Sequence, residues 1–334
     1  MEYTTCAICN LDETRRLFTA YDYITGDKFE IVSCTRCGLT YVNPRPDDKE
    51  IEKYYPPSYY GKRRSIIDII TIWCRIKRIE IEVPGDEARR ILDIGCGSGR
   101  MLREMRKRGW DVFGTELSEY SCKRAKEEFN LDVRKGSVET CNFPENYFDV
   151  ITLWHVFEHI KNPSETLNEI YRLLKRDGVL IIDVPNLKSL QFMLSRERWF
   201  HLDVPRHLYN FTTTTLANLL NKNEFKVYKV KQSSFEYDFF GMIQSILNVI
   251  SHRQNLLFDL IMKRVRLKDI LLSKDVFLYR DLLFLLFIFP PGLIFSIITS
   301  CISRLFGLGG DIEVYAKKGI SYRSQFSSPF CMDT

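Results

Sequence analysis

The fold is decided by the stretch Arg90–Gly99, RILDIGCGSG, in which an apolar run leads to an acid and then to a glycine-rich turn. The residues that follow, 100–107, predict a helix because their apolar side chains fall on one face. Glycines let a backbone approach a ligand closely, and the start of a helix offers N–H groups that lack partners within the helix. The stretch therefore predicts a strand, a turn and a helix that together bind a nucleotide.

The spacing of the glycines indicates which kind of nucleotide is bound. They stand at 95, 97 and 99, the first of them two residues after Asp93, whereas dinucleotide-binding folds favour G-x-G-x-x-G. A second predicted strand, 111–116, ends at Glu116. An acid at that place can bind both hydroxyls of a ribose, so the pattern favours a nucleoside ligand.

These motifs resemble those of the class I S-adenosylmethionine-dependent methyltransferases, whose first motif reads D-x-G-x-G-x-G. The resemblance continues through the segments 147–152, 155–160 and 173–180, and it spans roughly residues 86–234 and 311–318. It implies an α/β fold, a Rossmann-like seven-stranded methyltransferase sheet with helices on both faces. The strands that we predict are 90–95, 111–116, 131–135, 147–154, 178–184, 225–232 and 311–318.

The resemblance also implies S-adenosyl-L-methionine as the cofactor and assigns residues to it. Asp93 would orient the glycine turn and meet the methionine amine, Glu116 would bind the ribose, and Leu117 would lie under the adenine. The residues after the third core strand would read the adenine edge. The full set of cofactor-binding residues that we predict is Asp93, Gly95, Gly97, Gly99, Glu116, Leu117, Ser137 and Val138.

Four cysteines near the N-terminus form two Cys-x-x-Cys pairs that are separated by 24 residues. Each pair suits a tight turn that presents two thiolates to one metal, and four thiolates at this spacing are typical of a structural zinc site. So short a segment has too little core to fold unaided, which favours zinc over four free thiols or a redox pair. We therefore predict that residues 1–42 form a zinc ribbon with the metal ligands Cys6, Cys9, Cys34 and Cys37.

Histidines of two segments are the candidates for catalysis. A polar loop on a rigid scaffold usually contacts substrate, so within the segment 198–212 His207 is the first candidate for a general base and His201 the second. His155 is better placed to orient the substrate. The sequence H-x-x-E-H at 155–159 is also the inverted zinc-peptidase motif, but that motif needs a long helix, and here it follows a predicted buried strand.

The cysteine pairs, the H-x-x-E-H turn and the segment 205–212 are together similar to methyltransferases of cell-surface glycan and nucleotide-sugar pathways. This resemblance implies an S-adenosylmethionine-dependent methyltransferase that acts on a small-molecule or glycan-type acceptor: a sugar, a nucleotide sugar or a lipid-linked glycan of polysaccharide biosynthesis. One alternative is a zinc-ribbon RNA methyltransferase. Another is a non-catalytic scaffold that binds the cofactor at a membrane complex.

Charge and cysteine content bear on partners and compartment. A net charge of +5 over 334 residues is small, so the composition does not favour a nucleic-acid partner. Residues 1–5 lack the basic and apolar regions of a signal peptide, and the chain has ten cysteines. Both features favour a reducing compartment, and we expect the protein in the cytoplasm.

Residues 43–85 are predicted to be a linker followed by an amphipathic helix. The linker is rich in proline and tyrosine; its tyrosines at 54, 55, 59 and 60 either line the mouth of the cofactor site as a lid or pack the ribbon onto the core. The helix, 62–81, has an apolar stripe formed by Ile66, Ile69, Ile70, Trp73, Ile76 and Ile79. We favour packing of this stripe against the sheet over contact with an anionic membrane.

Residues 235–310 are predicted to be a hydrophobic helical insertion between the core, 86–234, and the last core strand, 311–320, which a tail, 321–334, follows. The run 282–303 carries no charge and is long enough to span a bilayer. Because the predicted strand 311–318 closes the same sheet, both ends of the run must lie on one side of a membrane. Pro290-Pro291-Gly292 also interrupts the run, so we predict a helical hairpin. It either dips into one leaflet at the inner face of the membrane, as a peripheral contact, or packs internally.

Overall fold

The computed structural model describes residues 1–56, 59, 66–84, 89–232 and 235–319; it does not describe the side chains of residues 66, 67 and 235–237. The tail 321–334 and the basic residues Lys62, Arg63 and Arg64 of the predicted helix lie outside the described residues. The strands are β1 (Thr14–Tyr21), β2 (Lys28–Cys34), β3 (Thr40–Val42), β4 (Arg90–Ile94), β5 (Asp111–Glu116), β6 (Val133–Lys135), β7 (Phe148–Trp154), β8 (Leu174–Pro185), β9 (Tyr209–Asn210), β10 (Phe225–Lys231) and β11 (Asp311–Lys318).

Helices cover the main sheet and form the insertion. The α-helices are α1 (Ile66–Glu82), α2 (Arg100–Arg106), α3 (Glu119–Phe129), α4 (Pro163–Leu173), α5 (Leu190–Ser195), α6 (Thr213–Lys222), α7 (Phe235–Ile250), α8 (Leu256–Ile261), α9 (Leu267–Leu272) and α10 (Val276–Phe306).

The main sheet has seven strands in the order β10-β11-β8-β7-β4-β5-β6. Its five strands from β8 to β6 pair in parallel, whereas β11 pairs antiparallel to both β8 and β10. The central strands are buried on both faces; Ile91, Val150 and Ile181 have no exposed surface, which explains their nearly continuous apolar sequence. The Rossmann-like seven-stranded sheet is therefore confirmed. The central strands β4 and β7 are neighbours, with β5 on the far side of β4 and β8 on the far side of β7, so the strand order changes direction between them.

One boundary of the predicted core is wrong. We predicted a strand at 178–184, but β8 begins earlier, at Leu174, directly after α4 ends at Leu173. Gly178 lies within that strand, where a Cβ would stand 2.8 Å from the Leu174 side chain and 3.0 Å from the Phe148 carbonyl. The glycine is thus required by close packing in the sheet and not by the end of a helix.

The N-terminal residues form a second sheet, of order β1-β2-β3-β9. Its fourth strand comes from far along the chain: Thr40 pairs with Asn210, and Tyr41 with Tyr209. Tyr41 is fully buried, in the same apolar cluster as residues of the main sheet. The small sheet is therefore joined to the core by backbone pairing and by packing.

The predicted apolar stripe of α1 is only partly correct. Ile76 and Ile79 are buried, but Ile69, Ile70 and Trp73 are 63%, 47% and 55% exposed. Basic residues of this helix contact the core instead: the Arg75 guanidinium lies 4.8 Å from the Trp154 ring centroid, and Arg78 Nη1 donates to Glu313 Oε2 at 2.7 Å. The face of the helix that meets the core therefore includes Arg75 and Arg78 beside Ile76 and Ile79.

The predicted helical hairpin at 282–303 is wrong, because α10 is one helix of 31 residues. Pro290 and Pro291 lie inside it. Each proline lacks a backbone N–H, but its fixed φ suits a helix, so neighbouring packing can carry the helix through. Within the part of the chain that the structure describes, α10 is the one helix long and apolar enough to cross a membrane.

Candidate active site

The glycine turn between β4 and α2 is held by left-handed backbone at all three glycines, with φ of 70° at Gly95, 56° at Gly97 and 72° at Gly99. A Cβ at Gly95 would stand 2.5 Å from the Val156 side chain, and one at Gly99 would stand 2.7 Å from Leu131. A Cβ at Gly97 would meet nothing within 4 Å. The turn is thus closed against protein on two sides and open at Gly97.

Two carboxylates flank this opening. Asp93 in β4 is buried and accepts a hydrogen bond from Thr152 Oγ1 at 2.7 Å; burial outweighs this bond and raises the pKa of Asp93 to about 7. Glu116, at the end of β5, accepts hydrogen bonds from the Gly97 and Ser118 N–H groups, each at 2.9 Å. Because each carboxylate oxygen has two lone pairs, Glu116 can still accept bonds from a ligand hydroxyl.

The remaining cofactor candidates lie around the same edge of the sheet. Leu117 follows Glu116 and is 73% exposed, so its side chain is free to contact a flat ring. Ser137 is half-buried, and Val138 is 1% exposed within the main apolar cluster. Val138 therefore reaches a ligand only through its backbone.

A cluster of histidines and carboxylates lies next to the glycine turn, where β7 ends. His155 has left-handed backbone, with φ of 54°. Its Nδ1 lies 3.5 Å from Glu158 Oε1, and its Nε2 lies 3.8 Å from Asp183 Oδ2 and 3.9 Å from Asp311 Oδ1. The ends of β7, β8 and β11 thus bring together groups that are distant in sequence.

The charges of this cluster follow from its burial and its contacts. Burial alone would lower the pKa of His155, but Asp183, Glu158 and Asp311 raise it to about 9. Burial raises the pKa of Asp183 to about 7, against the neighbouring His155. Burial would raise the pKa of Glu158, but His155 and two further histidines lower it to about 2. At neutral pH, His155 is therefore a cation beside the Glu158 carboxylate.

The other two candidate histidines are buried and neutral. Burial, with the nearby imidazoles, lowers the pKa of His201 to about 3 and that of His207 to about 4. His207 Nδ1 lies 2.8 Å from the His201 carbonyl, which makes it the donor, and Nε2 is then the acceptor, 3.8 Å from Glu158 Oε1. The His155 and His201 rings stack with centroids 6.1 Å apart. The structure thus brings all three candidates together around Glu158.

The histidine motif does not form a peptidase site. Phe157–His159 is a single turn of 3₁₀-helix, not a long helix. His159 Nδ1 lies 2.9 Å from the Arg206 carbonyl and groups with Glu158 and His207, whereas His155 groups with the two aspartates. The two histidines of the motif therefore do not share one metal-binding position.

Sequence reasoning missed the residue that holds the polar loop. Arg206 is 1% exposed, and its guanidinium donates to Asp22 and Asp203, with Nη2 at 2.6 Å from Oδ1 of each. Tyr59 also donates to Asp203, at 3.0 Å, and Tyr54 is buried against Phe29. These two linker tyrosines pack onto protein as one of our alternatives predicted, and Tyr60 lies outside the described residues. The pairing of Arg206 with Asp22 had no local sequence signal, because the residues are 184 positions apart.

The four N-terminal cysteines meet at one point. One sulfur from each of the four lies within 4.8 Å of the others, and Cys6 Sγ is 3.4 Å from Cys37 Sγ. In a tetrahedral zinc site with Zn–S bonds of about 2.3 Å, sulfurs stand about 3.8 Å apart. Residues of these types at these distances fit such an ion.

The central part of the chain is similar in sequence to known methyltransferases. A family profile described as a methyltransferase domain matches residues 73–230. The ubiquinone biosynthesis O-methyltransferase of Maricaulis maris is 33% identical over 196 residues, which cover 55% of this chain and 73% of that protein. A protein of the same name from Actinobacillus pleuropneumoniae is 32% identical over 132 residues, 36% of this chain and 56% of that protein. The chain thus spans little more than half the length of several such relatives.

Among solved structures, the fold is similar to a SAM dependent methyltransferase from Archaeoglobus fulgidus. The two chains are 20% identical with a TM-score of 0.46, and the match covers 81% of this chain and 100% of that chain.

Proposed function

The chain belongs to the methyltransferase-domain family of S-adenosylmethionine-dependent enzymes, and from that premise we propose that it transfers a methyl group to a hydroxyl of a small-molecule or glycan-type acceptor. The observation that carries the proposal is the open space at Gly97 beside the Glu116 carboxylate, in the turn that follows the strand of Asp93. A hydroxyl acceptor is supported by the relatives' names, which describe O-methyltransferases. The acceptor is a sugar, a nucleotide sugar or a lipid-linked glycan in this proposal.

Different residues around the opening would bind different parts of the cofactor. Glu116 would accept bonds from the ribose hydroxyls, and Asp93 would face the methionine amine. Leu117 would cover one face of the adenine, while Ser137 and the Val138 backbone would read its edge. S-adenosylmethionine supplies an electrophilic methyl group on its sulfonium when it is bound. Holding the acceptor oxygen near that carbon would then provide much of the rate.

The histidine cluster would take up the proton that the acceptor hydroxyl loses. His207 is the proposed base, because its Nε2 is a neutral acceptor while its Nδ1 donates to the His201 carbonyl. Glu158 would stabilise the imidazolium that forms. His155 is protonated at neutral pH and is suited to donate to an acceptor oxygen rather than to remove a proton. His201 remains the second candidate for the base.

We also propose that Cys6, Cys9, Cys34 and Cys37 hold a structural zinc ion. Its role would be to stabilise the small sheet, because four cysteine ligands leave no open position for catalysis. The protein would act in the cytoplasm, with a peripheral contact to the inner face of the membrane through residues 282–303.

Calorimetry and a labelling assay test the proposal. S-adenosylhomocysteine should bind to the purified protein, and S-adenosylmethionine with an isotope-labelled methyl group should label a metabolite of a cell extract. His207→Ala should lower turnover by about 10²–10⁴-fold, the usual share of a general base, with the affinity for S-adenosylhomocysteine unchanged. An equal loss of cofactor affinity would contradict the role of His207, and a folded protein that binds no S-adenosylhomocysteine would contradict the function itself. Cofactor binding without any labelled product, in extracts that include RNA, would favour the scaffold.

A further inference from the structure

The long helix α10 has its polarity reversed relative to a helix of a soluble core. Its buried side chains are polar: Asp281, Ser296, Thr299, Ser300 and Ser303. Its exposed side chains are large and apolar, among them Leu286 at 67%, Phe287 at 69% and Ile294 at 63%. Two of these hydroxyls donate to backbone carbonyls: Ser296 Oγ to Phe239 of α7 at 2.6 Å, and Thr299 Oγ1 to Phe295 of α10 at 2.9 Å. Such an outer surface favours hydrocarbon over water, because exposing large apolar side chains to water costs free energy in proportion to their area.

The segment next to α10 is basic. Residues 251–280 contain seven lysines and arginines against three aspartates, so most of the excess positive charge of the chain lies there. Within it, α9 exposes Leu267, Leu271 and Leu272 beside the exposed Lys268 and Lys274. Leucines flanked by lysines match the interface of a bilayer with anionic head groups.

An apolar groove of about 430 Å³ opens between α5, α7 and α10. On α10 it is lined by Ile288, Pro291, Gly292 and Phe295, which continue the stripe whose later members pack on α7. The α7 wall runs from Met242 to Ile250. The groove thus adjoins the exposed apolar surface of α10.

The α5 wall of the groove lies close to the histidine cluster. Gln191 lines the groove, and a Cβ at Gly241 would stand 2.6 Å from Gln191 Oε1 and 2.8 Å from His201 Nε2. At position 241 of α7, a residue larger than glycine would therefore collide with both Gln191 and His201. His201 stacks on His155, and the next residue, Val156, contacts the glycine turn at Gly95. Packed side chains thus link the groove wall to the glycine turn through His201 and His155.

We propose that this groove binds the hydrocarbon chain of a membrane-resident acceptor, whose head group lies at the neighbouring histidine cluster while α10 lies in the bilayer. The inference rests on the proposed methyltransferase function and selects, among its acceptors, an amphiphile with a long apolar chain. Three features would align such a molecule as it leaves the lipid: the polar end of the groove, the exposed apolar surface of α10 and the basic residues 251–280.

Filling the groove tests the binding of the chain. A Cβ at Gly292 meets nothing within 4 Å, so Gly292→Phe can place a ring in the groove. Gly292→Ala is the matched control, because it removes the glycine but adds only a methyl group. With the full-length protein, pyrene-labelled hexadecanoate should bind at least about tenfold more weakly to Gly292→Phe, because several methylene groups lose their contacts. Gly292→Ala and the wild type should bind it equally, and all three should bind S-adenosylhomocysteine alike.

Transfer and docking are measured on the same proteins. Labelled methyl groups should enter the organic phase of a membrane lipid extract, and Gly292→Phe should reduce that label by about tenfold. The double variant Leu286→Glu, Phe287→Glu should lose flotation with vesicles of equal parts phosphatidylcholine and phosphatidylglycerol, whereas Leu17→Glu, at an exposed position of β1, should float as the wild type does.

Two results would overturn the inference and leave the methyltransferase function standing. One is equal binding of the labelled fatty acid by Gly292→Phe and the wild type. The other is label found solely in water-soluble metabolites. Loss of S-adenosylhomocysteine binding in the wild type, by contrast, would sink the proposed function, and the fatty-acid titration would still decide whether the groove binds a chain.

Discussion

Two glycines with the same backbone strain, Gly97 and Gly109, offer a clean separation of ligand contact from stability. Both have left-handed φ, 56° and 82°, and a Cβ at either meets nothing within 4 Å. Gly97 lies beside the Glu116 carboxylate, whereas Gly109 lies in the turn after α2. An alanine at a left-handed position costs about 1–2 kcal/mol, partly offset by about 0.4–1 kcal/mol from a stiffer unfolded chain. Gly97→Ala and Gly109→Ala should therefore each lose about 1 kcal/mol of stability.

Only Gly97→Ala should also lose cofactor affinity. Its methyl group would occupy the space that a ligand running along the turn must use, and we expect S-adenosylhomocysteine to bind at least about tenfold more weakly, or about 1.4 kcal/mol. Urea unfolding measures the stability of both variants, and calorimetry measures the affinity. If Gly97→Ala binds within about twofold of Gly109→Ala, the ligand does not pass over this turn, and the assignment of the cofactor site is wrong.

Three further predictions concern the supports of the site. Arg206→Met leaves two buried aspartates without their guanidinium and should cost about 3–5 kcal/mol in urea unfolding, whereas Arg124→Met, which breaks a helical i,i+4 pair near the surface, should cost about 0.5 kcal/mol or less; equal costs would contradict the network. Cys6→Ser should abolish tightly bound zinc, seen by elemental mass spectrometry of the purified protein, and Cys122→Ser should keep it; zinc retained by both would refute the assignment. The free energy of unfolding should fall as pH rises from about 6.5 to 9, because the raised pKa of His155 stabilises the fold fully below its ordinary pKa and loses that effect as pH passes the folded value. His155→Asn should flatten this slope, and an unchanged slope would show that other groups cause it.

The core could be predicted from sequence because its signals are local. Each central strand is a short apolar run bounded by a turn, since burial on both faces leaves no room for polar residues. The glycine turn is equally readable, because backbone at positive φ demands glycine at Gly95 and Gly99, where side chains would also collide with Val156 and Leu131. These features need no knowledge of the rest of the fold.

The failures all depend on contacts between distant segments. The two-residue strand β9 has no sequence signal, because its pairing is set by β3, which lies far away in the chain. The orientation of α1 follows from Arg75 and Arg78 meeting Trp154 and Glu313. The helix α10 was predicted as a hairpin because proline pairs usually end helices; here packing on α7 prevails. Tertiary contacts, not propensity, decided each case.

The three candidate histidines lie together in the structure, and their roles stay predictions. His155, His201 and His207 do converge, but Glu158, expected only to shape its loop, lies between them with no exposed surface. The charge of each histidine could not be read from sequence, because it depends on which carboxylates the folded chain brings near it. His155 is a cation and His207 neutral for that reason.

Because β9 is the fourth strand of the small sheet, the cysteine-bearing N-terminal unit holds the segment around β9 in place. A truncated chain starting at residue 43 would remove β3, leave Tyr209 and Asn210 as an unpaired edge, and deprive Arg206 of Asp22. The segment that carries His201 and His207 would then lose its pairing with β3 and its ion pair with Asp22, although every residue of the glycine turn would still be present. Recombinant swaps of the N-terminal unit between related enzymes should therefore succeed only when this strand and its loop travel together.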